Sequence, residues 1–210
     1  MQMRPFFILV LAVFIGISSN AQTVSPRDLP EYDYDTTLKG GYTISFKADD
    51  SLEYLYLKKG DKVITELSSM GIGLLYKNLG YVGADFTDYF VLVHSFGSGN
   101  PHYIELIKKA TGENILKNGE DLFDEPAWID ADEKKEYLLY SEKDVPSKNN
   151  KMTLLNIRTG RKQYFSFPSD IFGEPQVLNR IWIDKLTDKQ LIIKYYKANS
   201  LHEKTIIYNR

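Results

Sequence analysis

From residue 42 to residue 210 the apolar positions fall in short runs rich in Tyr, Ile, Leu, Val and Phe, parted by clusters of Asp, Asn, Gly, Ser and Lys. Runs of about four to six residues bounded by turn formers predict strands, and no stretch sustains an apolar helical stripe over about three turns. Tyr42 to Phe46 and Leu52 to Leu57 read as a hairpin leading into Lys58-Lys59-Gly60. Residues 103–109 have the propensity of a short helix, but their alignment with residues 153–157 predicts a strand.

The runs repeat. Thr111-Gly112 matches Thr159-Gly160, and Asp121-Leu122-Phe123 with Glu125-Pro126 matches Asp170-Ile171-Phe172 with Glu174-Pro175. Trp128-Ile129-Asp130 aligns with Trp182-Ile183-Asp184, Lys135 with Lys189, and Thr153-Leu154-Leu155 with Thr205-Ile206-Ile207. A weaker copy begins near residue 59, with Val82 to Asp85 in the place of the Trp-Ile-Asp strand, and half a copy precedes it. The chain therefore divides into an N-terminal segment 1–21, an extended segment 22–41 and one β-repeat domain 42–210, made of 42–58, 59–110, 111–158 and 159–210. A period of about fifty residues with four short strands is the size of one propeller blade, a meander that cannot bury both faces until neighbours stack on it.

Pro126, Trp128, Asp132, Lys135, Leu138, Leu139, Tyr140 and Ser141 follow one another in an order that resembles the repeat of TolB-type β-propellers, best over residues 111–158. Asp132-Glu133 stands where that repeat has Asp-Gly. The resemblance implies an all-β fold, a repeated antiparallel β-meander, propeller-like with about four blades; the alternatives are an open partial propeller and a β-sandwich. A closed ring requires an N-terminal strand, around residues 31–37, to complete the last copy.

The first 21 residues have one positive side chain, Arg4, a twelve-residue apolar run from Phe6 to Ile17, and small residues at Ser19 and Ala21. This is the layout of a signal peptide cleaved after Ala21, and the run is short of the about 20 residues a membrane helix needs. The expectation is an exported chain, periplasmic or extracellular, with no stable membrane insertion after cleavage. The chain has no cysteine, which removes disulfides and a lipid-modified cysteine from consideration. With 26 Lys and Arg against 28 Asp and Glu, the formal charge is −2. The basic residues are dispersed among acidic ones, so no stripe for nucleic acid is formed.

Candidate chemistry is thin. His94 and His102 flank one predicted hairpin turn and reach toward Glu105, but a metal site needs three or four convergent ligands, so cross-strand neighbours are expected. Asp130 to Asp132 with Glu133 begins like a calcium loop, yet Lys134 occupies the next alternate position and the bend has no glycine. The expected roles there are structural: Trp128 and Trp182 packing between repeats and the aspartates capping turn amides. Gly97-Ser98-Gly99 lies in a turn rather than a nucleophile elbow or a phosphate loop. No catalytic, cofactor-binding or metal residue is assigned, and no cofactor is expected. Fifteen tyrosines, Tyr195 and Tyr196 among them, offer contact area with polar tips. The functional expectation is a non-enzymatic exported binding module for a protein or carbohydrate partner. Its rivals are a secreted hydrolase with a carboxylate site in a central funnel, and a structural subunit of a cell-envelope complex.

Overall fold

The computed structural model describes residues 35–72, 79–94, 103–116, 126–143, 151–172, 177–198 and 200–210. Segment 1–21, read above as an export signal, His102, the turn expected at Phe96–Pro101 and most of segment 22–41 lie outside these. Fourteen strands are described: β1 (Thr36–Leu38), β2 (Tyr42–Ala48), β3 (Leu52–Lys59), β4 (Lys62–Gly71), β5 (Tyr81–Asp85), β6 (Tyr89–His94), β7 (Tyr103–Lys108), β8 (Ala127–Asp132), β9 (Tyr137–Ser141), β10 (Lys151–Asn156), β11 (Lys162–Ser166), β12 (Ile181–Leu186), β13 (Gln190–Tyr196) and β14 (Glu203–Asn209). One 3-10 turn, Val177–Arg180, precedes β12, and no α-helix occurs among the described residues.

All pairing is antiparallel, in sheets of four, seven and three strands, none closed into a barrel. The seven-stranded sheet is two meanders, β5-β6-β7 and β8-β9-β10-β11, joined only where Tyr103 pairs with Ala127 and Ile104 N–H donates to Pro126 C=O at 2.9 Å. Thr36–Leu38 pairs with β2, so this end of the segment invoked above for ring closure belongs to the first sheet and not beside β14. The sequence copies and the sheets are offset by one strand: β4 and β11 open copies 59–110 and 159–210 yet complete the sheets before them.

Why the strands stack follows from side-chain alternation, because successive residues of a strand point to opposite faces. On β6, Phe90 and Leu92 enter a core with Leu38, Ile44, Leu55 and Leu57 of the first sheet. Val91 and Val93 enter a second core, with Leu138, Tyr140 and Leu155. On β9 the neighbour of Leu138, Leu139, joins a third core that holds Met152, Leu154, Leu191 and Ile193. Three apolar layers thus bind four meanders in sequence order, and the two inner meanders bury both faces.

The first strand of each of the last three meanders carries a β-bulge, with Gly83, Ile129 and Asp184 as the extra residues. The bulges stand at the same place relative to the second strand, which confirms a repeated architecture. They also shift the sequence alignment: Trp128 sits opposite Tyr140, one step before the bulge residue, whereas Trp182 sits opposite Lys194, two steps before it. The structural counterpart of Trp128 is Ile183. A one-residue slip turns a side chain to the other face. Trp128 therefore packs on the second core, while Trp182 lies on the outward face of the last sheet against Tyr196, with ring centroids 5.3 Å apart. Only a glycine fits the first bulge as packed, since a Cβ at Gly83 would lie 2.5 Å from Val93 Cγ2 and 3.3 Å from the Trp128 ring.

Candidate functional site

Antiparallel meanders bring the turns after β1, β5, β8, β10 and β12 to one end of the stack, and there side chains link each meander to the next. Lys39 N–H donates to Asp85 Oδ2 at 2.8 Å, while its ammonium meets Glu133 Oε2 at 3.0 Å. Asp85 N–H in turn donates to Glu133 Oε1 at 3.1 Å. Lys109, only 1% exposed, pairs with Asp85 Oδ1 at 2.6 Å and donates to the carbonyls of Phe86 at 2.6 Å and Lys39 at 3.0 Å. A buried ammonium is tolerable because these oxygens replace its water. Glu136, in the left-handed conformation at φ 58°, accepts from Thr87 N–H at 3.0 Å and pairs with Arg158. The hydrogen bonds from Thr87, with the Arg158 guanidinium, overcome burial and hold its carboxyl down at about 2.

The expected capping of a turn amide is seen for Asp132, whereas Asp130 binds strand amides instead. Asp132 Oδ1 accepts from Lys135 N–H at 3.1 Å within its turn, and Asp130 accepts from Ala131 N–H at 2.8 Å and, across to the last sheet, from Ile183 N–H at 2.7 Å. Burial raises the Asp130 pKa against those hydrogen bonds. His94 Nε2 lies 3.3 Å from Glu105 Oε1, its partner across β6 and β7 being Tyr103. No group of three or more metal-ligating side chains occurs among the described residues. Tyr195 is buried and donates to Asp170 at 2.9 Å, and Tyr196 lies under Arg180 at 5.7 Å.

Beside the linked turns, a cleft of about 270 Å³ opens between the third meander and the last sheet, lined by Tyr137, Asn156, Thr159, Arg161, Gln163 and Arg210. Register places Tyr137 opposite Asn156. The turn after β10 is built by Asn156, whose Oδ1 accepts from Thr159 N–H at 3.0 Å and whose carbonyl accepts from Gly160 N–H at 2.9 Å. Gly160 has φ +69°, which a glycine adopts without strain. That turn delivers Thr159 and Arg161 to the rim.

Arg210 reaches in from the last sheet and is fixed by three donations: to Gln163 Oε1 at 2.8 Å, Thr187 C=O at 2.6 Å and Tyr137 Oη at 2.9 Å. Its guanidinium carbon also stands 4.7 Å from the Tyr137 ring centre. Burial would raise the Tyr137 phenol, but hydrogen bonds from Arg210 and Asn156 and the Arg210 charge outweigh it, so its pKa lies below the ordinary tyrosine value. Arg161 is exposed. The lining contains no acidic side chain, imidazole or thiol, and its chemistry is that of hydrogen bonding and cation contact.

None of these six residues was a candidate from the sequence, apart from the Thr159-Gly160 turn that marked a repeat start. They come from β9, β10, the turn after β10, β11 and the position after β14, and no spacing rule unites them. No family model, curated protein or solved structure matches the chain.

Proposed function

We propose that this chain is an exported, non-enzymatic binding module: four propeller-like blades, related to TolB-type repeats in design, that offer the cleft at their turn end to a protein or glycan partner. The observation that carries this reading is the cleft itself, whose lining of guanidiniums, amides, a phenol and a hydroxyl suits recognition, with a fixed fork at Arg210. Stacking of meanders through three apolar layers supports the propeller-like description, since a blade buries its faces on its neighbours. Cross-linked turns give the cleft a rigid frame, which lowers the ordering cost of binding.

The test is affinity capture of the mature protein from envelope and culture fractions, with the Arg161→Ala protein as the comparison. A partner or glycan retained by the parent and lost with the variant is the expected result. Failure of both proteins to retain anything would overturn the reading. Mass determination of the secreted chain tests export, with Gln22 expected as its first residue.

A further inference from the structure

We propose that the cleft binds an acidic sugar residue, its anionic group held between Arg161 and Arg210 and its hydroxyls by the side chains of Asn156, Thr159 and Gln163. This rests on the binding-module reading and names the ligand class for the same site.

The charge argument comes first. Two guanidiniums line the cleft and no acidic side chain does. Lys189 is exposed beside it, its carbonyl accepting from Arg210 N–H at 2.9 Å, and Asp188 is the acidic neighbour felt by Tyr137. Of the acids in the linked turns, Glu136 is engaged by Arg158 and Glu133 by Lys39. The side chains that line the cleft are therefore net cationic. Guanidinium carries five N–H donors, and Arg210 spends three on protein oxygens, which leaves donors for a ligand oxygen without freeing the side chain to move.

Sugar rather than peptide follows from the rest of the lining. Two amides and a hydroxyl both donate and accept, matching a ligand dense in hydroxyls. The volume, about 270 Å³, suits one ring rather than an extended chain. A peptide would dock most readily by adding to the free edge of β11. That edge is obstructed, since Tyr208 O–H donates to Ser166 C=O at 2.6 Å and Arg210 lies across Gln163.

The experiment is calorimetric titration of the mature protein with four probes: an oligogalacturonate, its fully methyl-esterified neutral form, a sulfated oligosaccharide and a glutamate-rich peptide. The oligogalacturonate is expected to bind at least about tenfold more tightly than its neutral ester, the worth of one charge-assisted hydrogen bond, and to weaken as salt rises. Arg161→Ala should weaken it by a similar factor, Arg161→Lys by less because the fork is lost but the charge stays, and Lys47→Ala at the opposite end of the stack should change nothing. A sulfated sugar binding in place of the uronate upholds the acidic-sugar site and assigns its anion. Equal binding of the ester, or peptide binding that depends on Arg161, overturns the assignment. If no sugar binds while affinity capture still retains a partner, the acidic-sugar assignment fails and the binding module stands; if capture fails as well, both fall.

Discussion

The inner and outer meanders are built from similar sequence runs but meet different surroundings. β6, β9 and β10 have four consecutive buried residues each, as strands do when neighbours cover both faces. β14 alternates between exposed and half-buried positions, and β4 has no fully buried residue. Ile207 on β14 is 57% exposed, whereas Leu139 on β9 is fully buried. What stabilises this chain is thus concentrated in the layers between meanders, and the outer faces carry tolerance to change. The same contrast holds for charge: Lys109 is sealed between the first two meanders, while Lys39, in the same network, is exposed.

The largest effect is expected at that sealed charge. Lys109→Met removes the buried ammonium from the half-buried Asp85 carboxylate, a loss of about 3–5 kcal/mol in urea unfolding, whereas Lys39→Ala, which removes an exposed pair, should cost about 0–1 kcal/mol. Equal losses would show that the network acts as one unit and that burial does not separate its members. Next comes the apolar contrast. Leu139→Ala empties part of the third core and should cost about 2–5 kcal/mol, while Ile207→Ala on the outer face should stay within about 0.5 kcal/mol. A large loss at Ile207 would reveal that the outer face is covered in solution.

These contrasts also mark how far the sequence can be read. The strands were legible because each is a short apolar run ended by turn formers, as at Tyr89–His94 and Gln190–Tyr196. The shared interior was legible too, because runs such as Tyr137–Ser141 are apolar at consecutive positions and need cover on both sides. The bulges were not. One extra residue in β8 and in β12, at different distances from their tryptophans, makes Trp128 and Trp182 look equivalent while turning them to different environments. The cleft was hidden for another reason: Tyr137, Arg161 and Arg210 are joined by turns and by a reach between sheets, and such contacts have no period. The His94 and Glu105 approach was foreseen from hairpin geometry, which is local and therefore visible in sequence.

The smallest effect concerns two buried glutamates with opposite fates. Glu136, in an inner meander, is held down at about 2 by the hydrogen bonds from Thr87 and by Arg158. Glu53, on β3 of the outer first sheet, is buried with no hydrogen-bond partner for Oε2 among the described residues, and burial raises its pKa above the ordinary 4.5. The signs differ. For Glu136 the folded state binds its proton less tightly than the unfolded chain, so its contribution is present above the ordinary carboxylate range and lost as pH falls toward about 2. For Glu53 the folded state binds its proton more tightly, so stability is highest with the acid protonated and declines as pH rises through 4.5 and the raised folded value. Glu53→Gln should therefore raise the urea midpoint at neutral pH and lose that advantage in acid, whereas Glu136→Gln should lower the midpoint at neutral pH and converge on the parent in acid. Parallel pH profiles for the two variants would mean that Glu53 has a partner in solution, which would erase the distinction between a satisfied inner carboxylate and an unsatisfied outer one.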